Sequence, residues 1–382
     1  MRTIQLRSAE APRSPRIFKK RIRPPDPGLR PGEVVAVRTS EGQFVGRAFY
    51  SPRSVIVARI LDREENGPPI DGRWFEQRIA AAARLRREVL RLDRVTDAYR
   101  VVHAEGDGLP ALVIDRYGPI AVVEVGARGI FEHLDEIEQA VESVLGCERI
   151  VVRSDPEVER IEGFKATDRR ATAAETIVRE HDLRFHVDCA GGHKTGFFVD
   201  QREARRMVFD LARGRRVLDL CCYSGGFALS AAVGGARSVT AVDLDEEAIA
   251  MAQRNARLNG QTLRLVHADA FDFLRDGPSA ELVVLDPPKL ASTPRQLDAA
   301  RHKSVDLNAL ALGAVEPGGL LFTFSCTGLF TPLEFTYQVR DAARRVGRSV
   351  RVLRETGQPP DHPVAFDCPE GRYLSGLLLQ VD

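Results

Sequence analysis

The chain has 382 residues and little cysteine: six in all, with Cys221 and Cys222 adjacent and Cys147, Cys189, Cys326 and Cys368 scattered. No two of them form a C-x-x-C pair, which leaves a structural zinc site without support and excludes a disulfide scaffold. Most of these thiols are expected to be reduced and buried, acting as small hydrophobes. No apolar run reaches the roughly 18 residues of a membrane span. No apolar signal-peptide core follows the basic N-terminus, so a cytoplasmic location is expected. Internal repeats and low-complexity stretches are also missing.

The composition, 43% hydrophobic and 29% charged, is that of a soluble globular protein long enough for two or three cores. The net charge of +1 hides an asymmetry. Residues 1–23 carry eight basic side chains (Arg2, Arg7, Arg13, Arg16, Lys19, Lys20, Arg21 and Arg23) against one acid, Glu10. Such an arm suits a phosphate backbone, although a solubilising tail or a solvated edge strand would carry the same charge.

Three segments are expected. Residues 1–68 hold short apolar strands near 33–37, 43–50 and 54–61, a spacing that suggests a small barrel. Residues 69–180 open with a helical pattern over 73–92. Strands follow near 99–103, 111–115 and 120–125, then a helix near 131–145 and a strand at 150–153, an α+β pattern. Residues 181–382 alternate strands (215–221, 237–243, 262–266, 281–286, 319–325) with helices (201–212, 226–233, 245–258, 296–315) and end in two strands near 349–354 and 373–381. That alternation predicts a parallel sheet covered on both faces.

In such sheets ligands bind at the carboxyl ends of the strands. The first of these strands runs through Asp219 into the small-residue turn Cys221-Cys222-Tyr223-Ser224-Gly225-Gly226. Gly225 and Gly226 would let backbone approach a ligand. Asp243, followed by Leu244, ends the next strand about 24 residues after Asp219, near the spacing expected of a carboxylate that accepts from ribose hydroxyls. The turn lacks G-x-G-x-x-G, which argues against a nicotinamide oxidoreductase. A cofactor with ribose and adenine but no pyrophosphate fits better, and S-adenosylmethionine is the obvious one. Asp269, before Ala270, would then accept from the adenine amine, although a plain helix cap explains it equally simply.

Asp286-Pro287-Pro288-Lys289 forms a stiff loop whose carbonyls face a planar substrate edge, with Asp286 the natural partner for a base. Cys326 ends a buried strand beside the same crevice. A thiolate there could add to C6 of cytosine and make C5 nucleophilic. Before the first strand, Asp200 could cap a helix carrying Gln201 and Arg202. Arg202 could pair with the carboxylate of a bound amino acid, and Phe198 could pack over the site. A capped surface helix is the ordinary alternative for this stretch.

The third segment resembles class I S-adenosylmethionine-dependent methyltransferases. More narrowly, the chain resembles bacterial large-subunit ribosomal RNA 5-methylcytosine methyltransferases of the RlmI type. The likeness lies in Gly196-Phe197-Phe198-Val199-Asp200-Gln201-Arg202, in 219–227, in Asp286-Pro287-Pro288-Lys289 and in Ser325-Cys326, and spans nearly the whole chain. Residues 31–61 are similar to that family's PUA domain, a small RNA-binding barrel, and 99–118 to its central domain. The resemblance implies an α/β fold: a Rossmann-like methyltransferase domain with an N-terminal PUA-like β-barrel and a central α+β domain. It implies a nucleophilic Cys326, a base-contacting Asp286, S-adenosylmethionine as cofactor, and ribosomal RNA, of the 23S type, as partner. Lys289 stands where other 5-methylcytosine enzymes carry a second cysteine. Methylation of an adenine amine or a guanine ring nitrogen, and a non-catalytic role in ribosome assembly, stay open. So do the base for the C5 proton, the roles of His193 and Lys194, and the oligomeric state, a homodimer included.

Overall fold

The structure is a computed structural model, and it describes residues 1–166, 174–190 and 197–382. Gly196, His193 and Lys194 lie outside the described residues. The chain folds as two compact units: 1–181 with 187–199 and 360–371, and 182–186 with 200–359 and 372–382.

The first unit begins with a five-stranded sheet, β1 (Thr3–Gln5), β2 (Arg16–Phe18), β3 (Val34–Arg38), β4 (Phe44–Tyr50) and β5 (Ile56–Asp62), in the order β1-β3-β4-β5-β2. The basic stretch is therefore no free arm. Ile4, Leu6, Ile17 and Ile22 are buried in the core, so the segment supplies both edge strands, and its charge lies on a solvated edge. Arg16 is spent on Glu105 through two bonds of 2.8 and 3.0 Å. The short helical turn Lys19–Arg21 stays exposed.

The rest of this unit comprises α1 (Gly72–Arg84), β6 (Ala98–His103), β7 (Leu112–Tyr117), β8 (Ile120–Val125), α2 (Arg128–Glu132), α3 (Leu134–Leu145), β9 (Arg149–Arg153), α4 (Pro156–Glu162) and β10 (Glu175–Glu180). Strands β6 to β9 form a four-stranded sheet in sequence order, packed on α1 and α3. The helix predicted over 73–92 gives way after Arg84 to a wider, π-type turn, Leu85–Val89, which carries the buried Arg86 inward. The barrel packs directly on this layer. A Cβ on Gly129 would meet the Phe49 ring at 2.2 Å, and Arg59 pairs with Glu162 at 3.1 Å.

β11 (Leu183–Asp188) leads into the second unit. There follow α5 (Arg202–Leu211), β12 (Arg216–Leu220), α6 (Gly226–Val233), β13 (Ser238–Asp243), α7 (Glu246–Leu258), β14 (Arg264–His267), α8 (Ala270–Arg275), β15 (Ala280–Leu285), α9 (Leu297–Ala314), β16 (Val315–Ser325), α10 (Pro332–Arg345), β17 (Val350–Gly357) and β18 (Ser375–Val381). The seven-stranded sheet runs β14-β13-β12-β15-β16-β18-β17, parallel except for β18, which is antiparallel to both its neighbours. Alternate residues serve opposite faces. Leu218, Leu220, Val283 and Leu285 pack with Leu274 of α8, Leu307 of α9 and Val339 of α10. Val217, Leu282 and Val284 pack with Val208 of α5 and Ala228 of α6. Helix α10 was not expected. Thr331, Pro332 and Glu334 write its start as a capping box with proline in the first turn. Among the described residues no helix is long and apolar enough to cross a membrane.

Candidate active site

The chain runs outward from β12 to β14 and then returns to β15 on the other side of β12, so the strand order switches between β12 and β15. The parallel registers Leu220 with Val242, Leu220 with Leu285, and Asp243 with His267 bring the strand ends level. Asp219, Asp243, Asp269, Asp286 and Cys326 thus fall along one edge, where open α/β sheets bind ligands.

The turn after β12 is strained. Cys221, Tyr223 and Gly225 have φ of 59°, 47° and 79°, the first two in a region that side-chain-bearing residues rarely adopt. It is held from several sides. Tyr223 N donates to Asp243 Oδ2 (2.8 Å), Cys222 N to the Val242 carbonyl (3.0 Å), and Asn255 Nδ2 to the Ser224 carbonyl (3.0 Å). The missing Cβ atoms of Gly225 and Gly226 are used by the fold itself, since Ala252 and Arg205 would stand 3.1 and 2.9 Å from them. Asp219 is wholly buried and accepts from Ala228 N in the first turn of α6 (2.9 Å). Burial, with Asp286 and Asp243 nearby, pushes its carboxyl well above the usual range.

Asp243 keeps its second oxygen on Asp245 N (3.0 Å), and Leu244 beside it is 64% exposed. Asp269 caps α8 through Oδ1, which accepts from Phe271 N and Asp272 N, while Ala270 is buried. Gln201 and Arg202 are buried at the start of α5, and Gln201 Nε2 donates to Asp286 Oδ2 (3.1 Å). Asp200, just before them, accepts from the Tyr373 hydroxyl (2.6 Å). Phe198 is half-buried and belongs to the first unit.

The Cys326 thiol donates to the Pro287 carbonyl at 3.7 Å, a long sulfur contact that sets the sulfur on the loop opened by Asp286. A second tie joins the same segments, with Leu290 N donating to Thr327 Oγ1 (3.0 Å). The sulfur thus lies against the residue that follows Asp286. The other two thiols of the crevice are poor nucleophiles. Burial raises both Cys221 and Cys222, and the surrounding carboxylates raise them further.

Asn255, Tyr373 and Thr327 were not singled out in the sequence. Asn255 is fully buried, with Oδ1 accepting from His186 N (2.8 Å), and Asn259 clasps Arg184 one turn further on. An asparagine inside α7, where that residue is unfavourable, with a second at the C-cap four residues on, is the signal the sequence offers. Tyr373 and Thr327 had none.

The edge is rich in acceptors, and the segment leading into it carries two buried guanidiniums, Arg202 and Arg205, the latter against Gly226 of the turn. Such a donor set suits a ligand with a positive centre, hydroxyls, an amine and a single carboxylate, and S-adenosylmethionine has all of these. No cluster of three or more metal-ligating side chains occurs among the described residues.

Fold and site together define an S-adenosylmethionine-dependent methyltransferase. Residues 168–367 match the family model of that description, and 12–63 match that of the PUA-like domain. The chain is 36% identical to ribosomal RNA large subunit methyltransferase I of Klebsiella pneumoniae strain 342, over 97% of this chain and 94% of the relative. It is 37% identical to the protein of the same name from Aeromonas hydrophila, over 96% and 95%. At this identity and coverage the chain belongs to the ribosomal RNA large subunit methyltransferase I family. Among solved structures, one described as a SAM-dependent methyltransferase from Streptococcus mutans superposes with TM-score 0.82 at 20% identity, covering all of both chains. A methyltransferase complexed with SAH does so with TM-score 0.83, also at 20% identity and full coverage. These two likenesses concern the fold.

Proposed function

We propose that this enzyme methylates C5 of a cytosine in large-subunit, 23S ribosomal RNA through a covalent adduct on Cys326. The observation that carries the reading is the contact of the Cys326 sulfur with the Pro287 carbonyl, one residue from Asp286, in a chain whose relatives are named for ribosomal RNA methylation. Asp243 takes the ribose, Leu244 lies against the adenine and Asp269 accepts its amine. The turn 223–226 borders the methionine part, with Asp219 holding that turn from beneath. Arg202 pairs with the carboxylate.

Bound S-adenosylmethionine supplies an electrophilic methyl group on a sulfonium. The chain's residues prepare the acceptor. The Cys326 thiolate would bond to C6 and push the C5=C6 electron pair onto C5, so that C5 could take the methyl group as its bond to sulfur breaks and S-adenosylhomocysteine leaves. Asp286 fixes the ring edge, giving N3 a proton as that charge develops and taking it back when C5=C6 re-forms. After a base removes the C5 proton, the electron pair re-forms C5=C6 and the C6–S bond breaks, returning the thiolate. The barrel of 1–68, with its exposed Lys19–Arg21 turn, holds the RNA backbone. Residues 69–180 form the central domain and 181–382 the methyltransferase domain of this cytoplasmic protein. The target base is flipped from its stack to reach the strand ends.

Nucleoside analysis tests this. Ribosomal RNA from cells lacking the protein, treated with it and S-adenosylmethionine and digested, should yield new 5-methylcytidine. New N6-methyladenosine or 7-methylguanosine instead would overturn the assignment.

A further inference from the structure

The Gln201 side chain is 3% exposed, and its two ends have different fates. Nε2 donates to Asp286 Oδ2 at 3.1 Å. Oε1 is buried and accepts no hydrogen bond. The amide cannot trade ends, because turning it over would set Oε1 against a carboxylate oxygen. A lone acceptor is therefore held in place next to the group that meets the base. Its backbone is anchored on one side by Asp200, which accepts from the Tyr373 hydroxyl (2.6 Å), and on the other by α5. A buried polar atom without a partner at such a place is the mark of a donor that arrives with a ligand.

We propose that Gln201 selects cytosine over uracil: Oε1 accepts one N–H of the exocyclic amine, while Nε2 aligns Asp286 for the adjoining ring edge. Uracil presents a carbonyl oxygen where cytosine has its amine. Two acceptors would then face each other, and the site's own acceptor would stay unsatisfied. This rests on the reading of the site as a cytosine methyltransferase.

The test uses the full chain and a ribosomal RNA fragment containing the methylated position, with either cytosine or uracil there. Gln201→Leu, close in shape, should lose about a hundredfold in kcat/KM on cytosine and narrow the cytosine-to-uracil ratio by a similar factor. Its calorimetric affinity for S-adenosylhomocysteine should stay within about twofold of wild type. Gln201→Glu keeps an acceptor and can share a proton with Asp286, so its activity on cytosine should rise again as the pH is lowered. An unchanged ratio with about tenfold weaker binding of S-adenosylhomocysteine would assign Oε1 to the cofactor's ammonium and overturn the inference. An unchanged ratio with unchanged binding would leave only a structural role and overturn it as well. Wild-type enzyme that places no methyl on cytosine C5 would defeat the parent reading instead, so the two failures are distinct.

Discussion

Arg86 in the first unit and Asp219 in the second are both wholly buried ionisable side chains, but their surroundings differ. All five donors of the Arg86 guanidinium have acceptors. Nε meets the Arg100 carbonyl, Nη1 meets Asp107 and the Ala82 carbonyl, and Nη2 meets Asp107 and the Asp361 carbonyl, at 2.5–3.3 Å. Nearby, Arg100 clasps Asp115 with two bonds of 2.8 Å. In the crevice, burial, Asp286 and Asp243 raise Asp219 with no cation to neutralise it, and Asp219 Oδ1 and Gln201 Oε1 accept nothing. Charge that is matched within the chain is architecture. Acceptors gathered at strand ends without matching donors are a place for a ligand that brings donors and positive charge.

If that distinction is right, crevice substitutions cost function and spare stability, and substitutions at the matched pairs do the reverse. The largest effect is expected from Cys326→Ala, which should lower turnover by about a thousandfold or more while calorimetric cofactor binding stays near normal. Cys221→Ala should remain within about tenfold of wild type in the same methylation assay, because its thiol is held protonated. A Cys326→Ala enzyme working at the wild-type rate would end the covalent mechanism.

Next comes Arg86→Ala, which strands the Asp107 charge and should cost about 3–5 kcal/mol in urea unfolding. A loss below about 1 kcal/mol would mean that the matched cluster contributes little, and the contrast between the regions would disappear.

The two regions should also respond to pH with opposite sign. His103 is lowered to about 2, by burial first and then by Arg100, His362 and Arg86, so it folds neutral. The unfolded chain binds its proton below the ordinary value of 6.5, and stability should fall as pH drops from there toward 2. Asp219 is raised, so the folded chain retains a proton that the unfolded chain has lost above 3.8. Its contribution should decline as pH rises from that value through the raised one. Unfolding midpoints against pH for His103→Gln and Asp219→Asn should each flatten one side only; a variant that flattens neither leaves its group out of the balance.

The smallest effect is expected from Tyr373→Phe. It removes the hydroxyl held by Asp200 and should cost about 0.5–1.5 kcal/mol in thermal unfolding. A shift well beyond that would mean that the Tyr373 ring, not its hydroxyl, anchors the segment before α5.

Much of the second unit was legible because a strand buried on both faces is a short apolar run, and the residue that ends it is conspicuous by being polar. Asp243, Asp269, Asp286 and Cys326 stand at or just past such ends and Asp219 one residue before, and the sheet has them at one edge. Helix α10 announces itself only in its capping box at Thr331 and Glu334, a start signal made of polar residues between two apolar strands. The basic N-terminal stretch was read for its charge, while its four buried apolar residues, Ile4, Leu6, Ile17 and Ile22, decided its structure. The helix expected over 73–92 ends early because a helical period does not reveal where an inward arginine widens the turn.

The sequence by itself determined the alternation of strand and helix, the residue types at the strand ends and the motifs shared with a methyltransferase family, since each is written in neighbouring residues. Tertiary structure decided what those residues do to one another. It turned Asp219 inward onto α6 while leaving Asp243 at the rim, set the Cys326 sulfur on a carbonyl 39 residues away, and gave Asp286 a partner 85 residues before it in Gln201. Contacts of that range leave no local pattern, because only the closing of the sheet brings their two halves together.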